Sequence, residues 1–274
     1  MKKILVPTDF SQEAENALKV ASQIAKKDNS DIYLLHLLEI PLTNVDAINT
    51  TADVPEVMFF MEMAHKKFKD ILASDYLKGI TVHEVVKPDV TFNSISEISK
   101  EIGTDLIIMG SHGANGFKEM FIGSNAEKVV RTSSVPVLVI KNEHDDFSVD
   151  DIVFASDFKK DNKETYKQAT EFAMSFGAQI HLLLVNTPSN FTTTKKANER
   201  IHNFIKDYSF KNYTITVYND DSVEKGILNF AKDIDADLIG ISTHGRQGIA
   251  HFFNGSISED LVNHAKRPVI TFKI

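Results

Sequence analysis

ILVPTDF, Ile4 to Phe10, returns at mid-chain as IVFASDF, Ile152 to Phe158. A second pair lies downstream of each: GSHGANGFKEMFIGS, Gly110 to Ser124, and STHGRQGIAHFFNGS, Ser242 to Ser256. The copies close alike, with SVPVLVI (Ser134 to Ile140) and KRPVITF (Lys266 to Phe272). Self-similarity on this scale makes each copy one folding unit. The front pair is offset by 148 residues and the back pair by 132, so the first copy holds 16 more between them, assigned to Ile40 to Met61. Two domains follow, over 1–142 and 150–274. They are joined through KNEHDDFSVD, Lys141 to Asp150, a charged stretch without hydrophobic pattern that reads as a linker.

Within the first copy, short apolar runs at Lys3 to Thr8 and Ile32 to Leu38 have strand length. Between them Ala14, Ala17, Leu18, Ala21, Ile24 and Ala25 fall at helical spacing, with Ser11 placed to cap the start. A second helix is predicted from Val54 to Leu72, a strand from Thr81 to Val86, and a third helix carrying Ile95, Ile98 and Ile102. Another strand, Asp105 to Met109, leads into the glycine loop. A helix with Ala126, Val129 and Val130 and a last strand, Val135 to Ile140, complete the unit. The second copy repeats this order. Strands apolar on both faces and separated by helices imply a parallel sheet covered on both sides. The fold class is α/β: two tandem doubly wound, Rossmann-like domains, each with five parallel strands. The last strands, each apolar and at a sheet edge, are expected to dock the halves together, Val135 to Ile140 against Pro268 to Phe272.

Length and composition narrow the class. A chain of 274 residues suits two domains, and 42% hydrophobic with 25% charged residues is ordinary globular composition. No apolar run approaches the roughly 20 residues needed to span a bilayer. The opening MKKILVPTDF turns polar at Thr8 and Asp9, too early for a signal-peptide core. A cytoplasmic protein without a membrane partner is expected. Zero cysteines remove disulfides, thiolate metal sites and thiol catalysis together. A net charge of −8 argues against nucleic acid as a partner.

In open parallel sheets, ligands sit beyond the carboxyl ends of the strands. Asp9 ends the first strand and Gly110 the fourth, so the fold brings both to one edge. Gly113 and Gly123, lacking a Cβ, are able to take positive φ and admit a ligand close to the backbone. Gly123 and Ser124 open a helix whose free N–H groups favour an anion. Ser124 with Glu127, and Ser256 with Glu259, have capping-box spacing. A turn followed by a well-capped helix is the plainer reading of the same residues. A Walker A loop is excluded, because no lysine follows its second glycine, and PTDFS lacks the glycines of a dinucleotide fingerprint.

Over essentially its whole length the chain resembles the universal stress protein family in its tandem two-domain form. Adenine-nucleotide members carry G, two residues, G, nine residues, G, then Ser or Thr. Gly110, Gly113, Gly123 and Ser124 match every element. PTDFS (Pro7 to Ser11) and LLHLLE (Leu34 to Glu39) also resemble the family's first two strand ends. The resemblance implies that Pro7, Thr8 and Asp9 flank the adenine and its sugar, with Leu37 meeting the base through its backbone. It implies that Met109 and Gly110 line the ribose and that His112 and Gly113 begin the phosphate-facing loop. Gly123, Ser124 and Asn125 would then meet the phosphates of ATP or AMP, a divalent cation accompanying the triphosphate. It further implies that the family's strand-to-strand dimer forms here within one chain, as an intramolecular pseudo-dimer. A homodimer and an unidentified protein partner stay open.

The second copy keeps Asp157, Gly245, Gly255 and Ser256, but has Ser242 for the first glycine and Ala155 for the proline. Its ribose approach is therefore expected to be poorer; Arg246 is able to compensate by contacting phosphate, although a solvated loop arginine is the plainer reading. His36 reads as a satisfied core histidine, His112 and His244 as recurring loop residues, and His144 with Asp145 as solvated linker. Phe59, Phe60, Met61 and Met63 read first as core, with an interface or a lid as the alternative. Three functions compete: a nucleotide-dependent stress-response regulator, a slow ATP hydrolase, and a ligand-free interaction scaffold. Lys118 is the only basic candidate near the first loop, which is poor equipment for phosphoryl transfer. The regulator without catalytic residues is favoured.

Overall fold

Parallel strands apolar on both sides must be covered twice, and one sheet does this for the whole chain. A computed structural model of the chain describes residues 1–38, 54–88, 94–111, 123–159, 163–243 and 261–273. The first copy runs β1 (Lys3–Pro7), α1 (Gln12–Asp28), β2 (Asp31–Leu38), α2 (Val54–Leu72), β3 (Val82–Pro88), α3 (Ser94–Ile102), β4 (Leu106–Gly110), α4 (Ser124–Thr132) and β5 (Val137–Ile140). The second runs β6 (Asp151–Ala155), α5 (Lys163–Phe176), β7 (Gln179–Asn186), α6 (Thr194–Ile205), β8 (Tyr213–Asn219), α7 (Val223–Asp233), β9 (Leu238–Thr243) and β10 (Val269–Lys273). Residues 261–264 are the described end of a further helix before β10.

The ten strands lie in the order β3-β2-β1-β4-β5-β10-β9-β6-β7-β8. Every pairing inside a copy is parallel, and β5 with β10 is antiparallel. The expected docking through the last strands is what joins the halves. Pro136 and Pro268 stand just before those strands, where no ladder N–H is required. Their carbonyls accept from Ile107 and Ile239 at 3.0 and 3.1 Å.

Alternate strand residues enter opposite cores. Ile4 and Val6 pack with α1, α2, α5 and α6 residues such as Leu18, Phe68, Tyr166 and Ile201. Leu5 packs on the other face with α3, α4 and α7 residues such as Ile98, Val129 and Ile227. Each core is continuous across both copies. Ser11 caps α1 as expected, its hydroxyl accepting from the Ala14 N–H at 3.2 Å.

Two expectations need revision. The stretch from Lys141 to Asp150 is no solvated linker, because Phe147 and Val149 are buried in the core on the α1 face. Gln23 of α1 holds it, accepting from the Phe147 N–H at 2.6 Å and donating to the His144 carbonyl at 3.2 Å. His144 is half-buried rather than solvated; its Nε2 has no partner among the described residues, and burial lowers its pKa. Part of the first copy's surplus is helix: α2 has 19 residues where α6 has 12.

Candidate functional site

The carboxyl ends of β1 and β6 are built the same way from Thr/Ser-Asp-Phe. Thr8 Oγ1 accepts from the Phe10 N–H at 3.0 Å, and Ser156 Oγ from the Phe158 N–H at 3.1 Å. Asp9 Oδ1 accepts from the Ser11 N–H at 3.0 Å, and Asp157 Oδ1 from the Lys159 N–H at 3.1 Å. Short polar side chains bonding backbone two residues on are a turn device. They hold Phe10 at φ 65° and Phe158 at φ 53°, the left-handed region that aromatic residues seldom occupy. A strained residue repeated at both strand ends singles these turns out as candidate positions. The recurring S/T-D-F triplet was the signal in the sequence, although the phenylalanines had no assigned part in it.

Beyond β1 the next strand turns its peptide edge into a gap. In a parallel ladder, alternate residues bond to alternate neighbours. The Leu35 carbonyl accepts from the Thr8 N–H at 2.7 Å, whereas the Ile32 N–H donates to Thr81 on the β3 side. Leu37 therefore points its N–H and C=O toward β1, whose last strand pair is Pro7 with Leu35. His36 closes the corner, its Nδ1 2.8 Å from the Thr8 carbonyl and its ring 4.4 Å from that of Phe10. That carbonyl is an acceptor, so Nδ1 carries the proton. His36 is the satisfied histidine that was expected.

At the end of β4 the loop base is tied shut. Ser111 is buried; its N–H donates to the Ile140 carbonyl at 3.0 Å, and its own carbonyl accepts from the Gly123 N–H at 2.8 Å. Gly123 is the N-cap of α4, and its carbonyl receives the first helical bond, from the Glu127 N–H at 3.0 Å. The N–H groups of residues 124–126 thus lie ahead of the helical ladder. This corrects two expectations. With the cap at Gly123, Ser124 is the first helical residue, so Ser124 and Glu127 are not in capping-box register. Gly123 has φ −58°, so left-handed geometry is not its reason for being glycine.

Gly110 also serves the packing of the fold. A Cβ there would stand 2.7 Å from the Glu13 carbonyl oxygen in the first turn of α1. The missing side chain serves helix–sheet approach. Its counterpart Ser242 is fully buried, with a hydroxyl that has no partner among the described residues.

In the second copy these elements enclose a cavity of about 250 Å³. Ala155, Leu183, Val185 and Ile227 form an apolar wall, and Asp157, Lys159, Thr192 and Arg200 supply its polar side. Val185 is the counterpart of Leu37 and likewise turns its peptide toward the preceding strand, where the Leu183 carbonyl accepts from the Ser156 N–H at 3.2 Å. Asp157 is buried and its Oδ2 lies 3.1 Å from the Lys159 ammonium. Ser242 is not among the lining residues. Lys159, Arg200 and Thr192 had no distinguishing mark in the sequence, Lys159 and Thr192 being brought in by loops and Arg200 by α6.

The structure thus brings Pro7, Thr8, Asp9, Leu37, Met109, Gly110, Gly123 and Asn125 to one edge of the first copy. Asp9 and Asn125 are exposed there, Thr8 and Met109 buried, Pro7 and Leu37 half-buried. His112, Gly113, Gly245, Gly255 and Ser256 lie outside the described residues, as do His244, Arg246, Lys118 and Glu259. Among the described residues no cluster of three or more His, Asp or Glu side chains is placed to hold a metal. No described helix is long and apolar enough to cross a membrane. Met58, Phe59, Phe60, Met61 and Met63 of α2 are exposed, at 37% to 57% of their surface, so the core reading of this cluster is wrong.

Two doubly wound copies that share one sheet define a tandem α/β protein. The chain belongs to the universal stress protein family, whose model matches residues 1–141 and again 149–273. A universal stress protein of Methanocaldococcus jannaschii is 33% identical over 156 residues, covering 52% of this chain and 96% of its own. One from Synechocystis is 22% identical over 300 residues and covers both chains in full. The crystal structure of a universal stress protein from Archaeoglobus fulgidus has the same fold, with a TM-score of 0.77 at 22% identity. It covers 99% of this chain and 98% of that one.

Proposed function

We propose that this protein is an adenine-nucleotide-binding regulator of the stress response, whose first copy holds ATP or AMP and responds to occupancy rather than to turnover. The observation that carries the reading is the peptide edge of Leu37, turned into the gap beyond Pro7. A base edge needs one donor and one acceptor side by side, and a strand edge supplies both. The N-terminus of α4, at the same sheet edge, suits phosphate, and Asp9 at the mouth suits ribose hydroxyls. A divalent cation would be held through the phosphates and water, because Asp9, the carboxylate described at this edge, is already engaged by Ser11. The cavity beside Asp157 supports a second, weaker site of the same kind.

The test is nucleotide release from denatured, freshly purified protein, followed by titration and steady-state turnover. Bound adenine nucleotide without turnover is the expected result. Absence of bound nucleotide, together with no heat of binding up to millimolar ATP, would overturn the reading.

A second reading, a protein-interaction module, is favoured by the exposed methionines and phenylalanines of α2. The two are compatible where occupancy alters what this surface binds.

A further inference from the structure

Two lysines cross between the copies in mirror fashion. Lys141 follows β5 and Lys273 ends β10; the 132-residue offset that relates Gly110 to Ser242 relates these two, and likewise Val130 to Val262. The Lys273 ammonium donates to the Val130 carbonyl in α4 of the other copy. The Lys141 ammonium donates to the Val262 carbonyl in the second copy's helix, at 261–264. Lys273 is 4% exposed, and neither lysine has an ion-pair partner among the described residues. Burial alone holds both ammonium groups down to about 8.

Withdrawing an unpaired ammonium from water is unfavourable, so a buried Lys273 and a half-buried Lys141 at equivalent positions call for a compensating partner. The partner is the end of a helix. Carbonyls of the last turn have no intrahelical donor and carry the negative end of the helix dipole. In α4 the Val129 carbonyl is taken by the Ser133 N–H at 2.9 Å, and the Val130 carbonyl by the lysine of the other copy. The far end of this nine-residue helix is Gly123, where phosphate is assigned above.

A chain of direct bonds continues past each lysine. The Lys273 backbone is bound both ways to Gln168 of α5, each bond 3.2 Å, and α5 follows the β6 turn that carries Asp157. On the other side, Lys141 adjoins Ile140, whose carbonyl holds Ser111, which holds Gly123. On the Lys141 side the base of the first copy's site is thus linked to the second copy's helix through bonded groups, and on the Lys273 side α4 is tied to α5.

We propose that Lys273 and Lys141 are cross-copy positioning residues, each holding the opposite copy's loop helix by its last turn and so coupling the ligand sites of the two halves. The ligand part of this inference rests on the nucleotide reading above; the positioning part does not. The experiment uses the full chain as Lys273→Met, Lys273→Arg and Lys141→Met. Amide hydrogen exchange, read by mass spectrometry, is compared over residues 124–132 and 261–264, alongside calorimetric titration with ATP.

Lys273→Met is expected to speed exchange in 124–132 by about tenfold, the loss of one hydrogen bond to a charged donor, and to leave 261–264 unchanged. Lys141→Met is expected to do the converse, which keeps the test alive if the more buried Lys273→Met does not fold. ATP affinity of the first-copy site should fall severalfold in Lys273→Met and recover in Lys273→Arg. Equal exchange changes in both segments, or none in the opposite copy, would overturn the positioning role. Altered exchange with unaltered ATP affinity would overturn the coupling. A parent chain that binds no ATP would sink the nucleotide reading while the exchange arm still decides the positioning role.

Discussion

Leu138 of β5 pairs with Ile270 of β10, its own counterpart in the second copy, so the chain's local twofold axis passes between these two residues. Val137 pairs with Thr271 and Val139 with Val269, as an isologous interface requires. Both axial side chains are buried in the same core. Leu138→Ala and Ile270→Ala should each destabilise by about 2–5 kcal/mol, the range for large-to-small changes in a core. Because they share one cavity, the double variant should lose less than the sum, by about 0.5–3 kcal/mol. Urea denaturation of the three variants checks this, and strict additivity would count against direct packing at the axis.

Gly110 and Ser242 should respond oppositely to exchange of their side chains. Gly110→Ser would drive a Cβ to 2.7 Å from the Glu13 carbonyl oxygen, and forced overpacking of this kind costs about 1–3 kcal/mol. Ser242→Ala removes a buried hydroxyl without a partner among the described residues and should be neutral or stabilising by about 1 kcal/mol. Thermal melts of both variants decide it; equal destabilisation would refute the packing argument.

The two sites should be unequal. Asp9 is exposed beyond the end of β1, whereas Asp157 is buried against the Lys159 ammonium, which a ribose would have to displace. Asp9→Ala should weaken ATP binding about tenfold or more, as for loss of hydrogen bonds to a charged group. Asp157→Ala should leave the dominant isotherm in place. Two equal sites in the parent, or a larger loss from Asp157→Ala, would reverse the assignment.

Stability should carry the mark of Lys273. Burial sets its folded-state pKa at about 8, below the ordinary 10.5, with no neighbouring charge contributing. Below pH 8 both folded and unfolded chains hold the proton, and the folded chain bears the full penalty. Between about pH 8 and 10.5 the folded chain releases it first, so this residue's contribution to stability rises with pH. Relative to Lys273→Met, the parent should gain up to about 3 kcal/mol across that window. Urea melts of both chains at pH 7.5 and pH 10 measure the difference. A flat difference would mean that the lysine keeps its proton.

Repeats, the succession of strands and helices within each copy, the α1 cap at Ser11 and the docking strands were legible because each rests on local pattern. Apolar runs, helical spacing and a short polar residue before a helix act through neighbours in the chain. The family resemblance was legible for the same reason, since Gly110, Gly123 and Ser124 keep fixed spacing. The burial of Phe147 and Val149 was not, because Gln23, which holds that segment, is more than a hundred residues away.

The amino-acid order alone therefore determined two α/β copies, their strands and helices, and the sheet edge at which Asp9 and Gly123 meet. Only the packed chain decided why Gly110 is a glycine, because the Glu13 carbonyl reaches it through helix–sheet contact. The same holds for the cavity beside Asp157, whose wall comes from β6, β7, α6 and α7 together. It holds most plainly for Lys141 and Lys273. As sequence they are two lysines at strand ends, ordinarily solvated. They become donors to opposite helices, Lys273 buried and Lys141 half-buried, because the antiparallel β5–β10 pair carries the end of each copy across the twofold axis into the other.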